Sequence, residues 1–176
     1  MLRLTLALCL ALLTALPATA RERFTFSSID GGTIDSADWQ GHPVLVVNTA
    51  SRCAFTRQYD ALQDLYNRYR DQGLVVLAVP SNDFRQELDS DAAVKDFCAV
   101  NFDLDLPMTT ITHVTGPEAH PFYRWLDETA DFAPSWNFNK VLLAPDGAVI
   151  ATWGSAARPL SSSIVDAIEA QLGGTG

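Results

Sequence analysis

Two short aliphatic runs, Val44-Leu45-Val46-Val47 and Leu74-Val75-Val76-Leu77-Ala78-Val79, constrain this chain more than any other feature. Each is too short for an ordinary helix and has no polar side, so each reads as a strand covered on both faces, as in the middle of an α/β sheet. Between them Tyr59, Leu62, Leu65, Tyr66 and Tyr69 recur at helical spacing until Gly73, which predicts a helix from about Ala54 to Asp71. Asp89-Ser90-Asp91 then offers caps for a second helix carrying Val94, Phe97 and Cys98. The order so far is β-α-β-α.

The flanking segments complete that pattern. Phe24 to Ile29 and Thr33-Ile34 surround the turn Asp30-Gly31-Gly32 as an amino-terminal hairpin. Pro107 to Ile111 reads as a third short extended segment, and Pro117 to Thr129 as a helix with Phe122, Trp125 and Leu126 on one side. Phe138 to Ala144 and Ala148 to Trp153 flank Pro145-Asp146-Gly147 as a second hairpin, and a last helix capped among Ser161 to Ser163 carries Ile164, Ile168 and Leu172. Strands alternating with helices and closing on a hairpin and a helix describe an α/β fold of the thioredoxin-like type, a central mixed sheet flanked by helices. The expected unit is one domain over residues 21–176.

Residues 1–20 stand apart. Arg3 precedes an apolar run of 13 residues from Leu4 to Leu16, and Ala18-Thr19-Ala20 follows as a small-x-small cleavage site. A bilayer span needs about 20 apolar residues, so the segment reads as a secretory signal peptide rather than an anchor. Cleavage is expected after Ala20, with a secreted or periplasmic product. Cys9 would leave with it, and Cys53 and Cys98 would enter a compartment where disulfides persist. Whether they form a static bridge or a redox pair decides the function.

Charge and residue spacing remove several function classes. The 12 basic and 21 acidic residues leave a formal charge of -9, the wrong sign for a phosphate backbone or an anionic membrane surface. The three His residues, His42, His113 and His120, lie apart from any Cys pair, so no metal site and no cofactor are expected.

Cys53 carries the chemistry. It follows a buried strand and is expected in the first turn of a helix, with Arg52 and Arg57 flanking the sulfur. Unpaired N–H groups, the positive end of a helix dipole and two guanidiniums all favour thiolate over thiol. A buried inert cysteine would explain neither arginine nor the strand-to-helix turn.

The stretch from Val46 to Tyr59 (VVNTASRCAFTRQY) resembles the active-site motif of the glutathione peroxidase family, in the version with cysteine in place of selenocysteine. Leu74 to Phe84 resembles the family's second motif, with Ser81 and Asp83 where a Cys and a Gln are usual; Phe97 to Phe102 resembles its helix segment and Trp136 to Lys140 its third motif. Four motifs in order cover nearly all of the chain after residue 20. The resemblance implies a site of Cys53 with Gln86, Trp136 and Asn137 as hydrogen-bond donors. In family members that draw electrons from thioredoxin-like proteins, a Cys matching Cys98 resolves the sulfenic acid. Disulfide Cα atoms lie within about 7 Å of each other, so the helix of Cys98 is expected to unwind partly on oxidation. The short link from Ala130 to Ser135 replaces a loop that builds subunit contacts in tetrameric members, which implies a monomer.

The expected activity is therefore reduction of hydrogen peroxide or organic hydroperoxides, with a thioredoxin-like protein or glutathione as reductant. A non-enzymatic redox sensor passing its disulfide to a partner is the alternative in another class. A thiol-disulfide oxidoreductase would need Cys-x-x-Cys, and Thr56 fills the second position.

Overall fold

The structure is a computed structural model and describes residues 22–173. The signal-peptide reading of residues 1–20 lies outside the described residues. Strands β1 (Thr25–Ser27) and β2 (Thr33–Asp35) form the expected antiparallel hairpin, with Phe26 opposite Ile34. The main sheet holds β3 (Val44–Thr49), β4 (Val75–Pro80), β5 (Lys140–Leu143) and β6 (Val149–Trp153) in the order β4-β3-β5-β6. β3 runs parallel to β4 and antiparallel to β5, and β5 antiparallel to β6, so the sheet is mixed.

Side-chain alternation along these strands builds two cores. Leu45, Val47, Val76, Ala78 and Leu142 face helices α1 (Gln58–Tyr69), α2 (Asp91–Phe102) and α4 (Ser162–Leu172), packing against Leu62, Leu65, Val94, Ile164 and Ile168. Val44, Val46, Leu77, Val79, Val141 and Leu143 face the other way, against Phe24 and Phe26 of the hairpin segment and Phe122 and Leu126 of α3 (Pro121–Ala130). A run with no polar side is what β3 needs, because both its faces are covered.

Two helix starts are corrected. α1 begins at Gln58 rather than Ala54, because residues 53–59 close successive three-residue turns: Thr56 N–H to Cys53 O at 3.1 Å, Gln58 N–H to Phe55 O at 2.8 Å and Tyr59 N–H to Thr56 O at 3.0 Å. The Thr56 hydroxyl competes with helix there by accepting from the Cys53 amide at 3.1 Å and donating to the Cys53 carbonyl at 2.5 Å. α3 begins at Pro121, not Pro117: Pro121 is its first residue and the His120 ring nitrogen accepts from the Phe122 amide at 3.2 Å. The segment 107–111 is the short extended piece expected there, bridging β4 at Ala78 through Met108 and the residue after β1, Ser28, through Thr109. α2 starts at its expected cap, where the Ser90 hydroxyl accepts from the Ala93 amide at 3.3 Å. Gly73 ends the first helical segment at φ +101°, where a Cβ would also come within 2.7 Å of the His42 ring.

Candidate active site

Cys53 lies in the turn between β3 and α1, five residues before the helix, and is 7% exposed. Its Sγ accepts from the Phe55 amide at 3.5 Å, so the N–H aimed at the sulfur belongs to the turn and not to the helix end. Arg52 and Arg57 are both exposed, and neither hydrogen-bonds the sulfur. The Arg52 guanidinium acts instead on Glu87, lowering its proton affinity. Arg57 lines a groove beside the Cys53 turn with Phe55, Gln58, Ala61, Arg158 and Pro159.

Two other loops meet the Cys53 turn. The segment after β4 comes first: the Arg52 amide donates to the Gln86 carbonyl at 2.8 Å, and the Ser51 amide donates to Glu87 Oε1 at 3.0 Å. Arg85 stands at φ +58°, a left-handed residue that turns the chain so that Gln86 and Glu87 reach back to residues 51 and 52. The segment before β5 comes second. Asn137 is fully buried and its Nδ2 donates to Gln86 Oε1 at 3.0 Å. Trp136 is 41% exposed and lies against Phe84 with ring centroids 5.3 Å apart, at the surface rather than in the core.

Asn48, which the sequence analysis gave no role, holds that second loop. At the end of β3 it is 1% exposed; its Nδ2 donates to the Trp136 carbonyl at 3.0 Å and its Oδ1 accepts from the Asn139 amide at 3.0 Å. Its carbonyl also accepts from the Phe138 amide at 2.6 Å. Phe138 needs this support, because it is a bulky residue at φ +62°. Lys140 adds to it: fully buried, it donates from Nζ to the Phe138 carbonyl at 2.7 Å, and burial pulls its pKa down to about 8. One signal for both was available, since a polar residue adjoining a buried aliphatic run requires a partner.

Asp83, which stands where the family usually has Gln, is committed elsewhere. Its carboxylate accepts from the Val114 and Thr115 amides at 2.7 and 3.0 Å and pairs with the His113 ring at 2.7 Å.

Cys98 is 2% exposed on α2 and belongs to the same core as Cys53; both thiols are free. Burial pushes its pKa up to about 11, with Glu87 adding to the rise and the Tyr59 hydroxyl opposing it. The Tyr59 hydroxyl faces the Cys98 thiol and the Thr49 hydroxyl without a hydrogen bond of full geometry to either. α2 buries Val94 and Cys98 fully and packs Phe97 and Phe102 partly against the core, with Phe102 5.2 Å from the Tyr59 ring, while Val100 is 83% exposed. Among the described residues there is no group of His, Cys, Asp or Glu that could hold a metal ion, and no helix long and apolar enough to cross a membrane.

A thiol in a turn, an amide pair beside it and a second thiol in the same core are the parts of a cysteine peroxidase. The glutathione peroxidase family model matches residues 22–127. A glutathione peroxidase of Lactococcus lactis is 38% identical over 141 residues, covering 77% of this chain and 90% of that one. The crystal structure of T. cruzi GPX1 superposes with a TM-score of 0.67 at 31% identity, over 87% of this chain and 96% of that one. A thioredoxin-family thiol:disulfide interchange protein of Chlorobium tepidum shares the fold, with a TM-score of 0.65 at 16% identity over 90% of this chain and 99% of that one. A sheet of order β4-β3-β5-β6 with its thiol at the end of β3, and relatives matched over most of their length, make this chain a thiol peroxidase of the glutathione peroxidase family.

Proposed function

We propose that Cys53 reduces hydrogen peroxide or an organic hydroperoxide, with Gln86, Trp136 and Asn137 as donors around it and Cys98 as the resolving thiol. The observation that carries the reading is the tie between loops distant in sequence: Arg52 amide to Gln86 carbonyl, and Asn137 side chain to Gln86 side chain. In the first step the Cys53 thiolate attacks one peroxide oxygen. The S–O bond forms as the O–O bond breaks, sulfur gives two electrons to the peroxide, and the leaving oxygen takes a proton to become water or alcohol. Neutral N–H donors stabilise the charge that grows on that oxygen. Because Asn137 occupies Gln86 Oε1, Gln86 Nε2 is the end left to donate.

Cys98 then attacks the Cys53 sulfur; the S–S bond forms, the S–O bond breaks, and hydroxide leaves as water. A dithiol protein of the thioredoxin type returns two electrons by thiol-disulfide exchange. Only Val94 and Cys98 of α2 are fully buried, which supports local opening of this helix, since Cys98 has to move to reach Cys53. Residues 131–135 are a short connection between α3 and Trp136, in keeping with a monomer. The apolar run and cleavage site at residues 4–20 support export, to be checked by finding Arg21 at the amino terminus of the recovered protein.

Cys53→Ser tests the reading: it should abolish peroxide consumption with unchanged circular dichroism, and retained activity would sink it. The sensor alternative is separated by turnover with thioredoxin as the sole reductant, where a sensor stops after one peroxide per chain for want of its own partner.

A further inference from the structure

Beside Cys98 lies a buried polar cluster to which the peroxide step gives no role. Thr49 Oγ1, Ser51 Oγ, Tyr59 OH and Glu87 Oε2 are all buried and all lack a hydrogen-bond partner. They come from four places in the chain: the end of β3, the Cys53 turn, α1 and the segment before α2. Tyr59 faces both Cys98 and Thr49, the Ser51 hydroxyl faces Glu87, and the Glu87 carboxylate acts electrostatically on both Tyr59 and Cys98. Leaving four oxygens buried and unpaired is costly, so a function has to be sought for them.

We infer that Glu87 accepts the proton of Cys98 during disulfide formation and that the Tyr59 hydroxyl lies on the proton's path, an inference that rests on Cys98 resolving the Cys53 sulfenic acid. The resolving step needs such a group. Cys98 attacks as a thiolate, yet its environment opposes one, with burial first and the Glu87 charge second. Tyr59 and Glu87 are the titratable groups that act on the Cys98 thiol, and Glu87 is the base of the two. Asp30, Lys95 and Asp105 line the cavity beside Cys98 but are paired, Asp30 with Lys95 at 2.6 Å and Asp105 with Arg70 at 3.0 Å. Burial already raises the proton affinity of Glu87, while Ser51, the Leu88 amide and Arg52 lower it.

Transfer removes the obstacle it starts from. Once Glu87 is neutral it no longer repels the Cys98 thiolate. It also grips less firmly the two amides that its Oε1 accepts from, Ser51 at 3.0 Å and Leu88 at 2.8 Å. Those amides belong to the Cys53 turn and to the segment leading into α2, the two pieces that must rearrange to bring the sulfurs together. The proton count closes: Cys98 loses one proton, Glu87 holds it, and it leaves with the hydroxide released from Cys53 as water.

The test is a single-turnover experiment on the reduced chain with one equivalent of hydrogen peroxide. Samples are quenched over time and Cys53 sulfenic acid and Cys53–Cys98 disulfide are counted by mass spectrometry between pH 5.5 and 10. The disulfide step, read separately from the peroxide step, should be flat from pH 7 to 9 in the wild type. In Glu87→Gln it should be at least tenfold slower at pH 7 and climb about tenfold per pH unit toward the titration of the thiol itself. Tyr59→Phe should be at least fivefold slower at pH 7, and it decides the matter if Glu87→Gln does not fold. Disulfide formation within twofold of wild type with the same pH profile in both variants would overturn the relay, as would a faster step in Glu87→Gln, which would make the carboxylate purely repulsive. A wild-type chain that never forms the disulfide overturns the resolving role of Cys98 and the relay with it.

Discussion

Asn137 Nδ2 donates to Gln86 Oε1 at 3.0 Å, joining two residues 51 positions apart in sequence. Asn137 sits just before β5 and Gln86 just after β4, on either side of β3, whose end leads into Cys53. The bond orients the Gln86 amide, leaving its Nε2 as the free donor, and through Gln86 it reaches the backbone of the Cys53 turn.

Gln86→Ala and Asn137→Ala should each slow sulfenic acid formation at Cys53 by roughly 10- to 100-fold, the loss of one charge-stabilising donor at about 2 kcal/mol or more. The double variant should be far less than multiplicative, because each residue orients the other. Stopped-flow measurement of the peroxide step checks this. Independent, multiplicative losses would mean that the bond between them does not position the donor.

Asn48→Ala should cost on the order of 2–4 kcal/mol in denaturant unfolding and slow the peroxide step as well. It deprives the Trp136 carbonyl and the buried Asn139 amide, on either side of the left-handed Phe138, of their side-chain partner. A variant that loses stability but keeps full activity would show that the loop holds its shape without Asn48.

How much of this was legible depended on whether a residue's partners are local. The strands were, because an aliphatic run such as 44–47 can be buried on both faces in few other ways, and so was the Ser90 cap. The start of α1 was not: the periodic pattern runs smoothly back toward Ala54, and only the Thr56 hydroxyl, bonded to both the amide and the carbonyl of Cys53, replaces helix by turn. Asn48 and Glu87 were hidden for a different reason. Each looks like an ordinary polar residue in a loop, and its partners, Trp136 and Asn139 in one case and Ser51 in the other, lie 36 to 91 positions away. The Cys53 and Gln86 neighbourhood was anticipated through motif resemblance, whereas the helix-dipole argument for Cys53 is replaced by the Phe55 amide.

Lys140→Met should stabilise the fold at pH 7, and the gain over wild type should shrink as the pH rises toward 10. Burial holds the native Lys140 pKa near 8 against an ordinary 10.5, so between these values the unfolded chain binds more protons and wild-type stability climbs with pH. The full effect is on the order of 3 kcal/mol. Cys98, raised from 9.0 to about 11, acts in the opposite sense above pH 9, stabilising below that value and losing its contribution as the pH passes 11, so the comparison is between variant and wild type at each pH. The Phe138 carbonyl loses its ammonium partner, so the stabler variant should also reduce peroxide more slowly. A melting-temperature difference independent of pH would show that Lys140 titrates normally.

The electron donor is decided at Cys98. A chain that stored its oxidation as a Cys53 sulfenic acid would be reduced by any small thiol, whereas a buried pair that closes into a disulfide favours a dithiol donor, whose second sulfur resolves the mixed intermediate quickly. Thioredoxin with its reductase should therefore support turnover well and glutathione poorly. Cys98→Ser should lose thioredoxin-driven turnover and still consume about one peroxide per chain, because the chemistry at Cys53 survives while its recycling fails. Peroxide-treated wild type should be lighter by two hydrogens and yield a peptide joining Cys53 to Cys98. Since both sulfurs are buried and free in the reduced fold, the same treatment should raise amide exchange in α2, where Cys98 has to leave its core. If Cys98→Ser cycles at the wild-type rate with thioredoxin, or if the cross-linked peptide never forms, Cys98 is a packing residue beside Tyr59 and the donor must act on Cys53 directly.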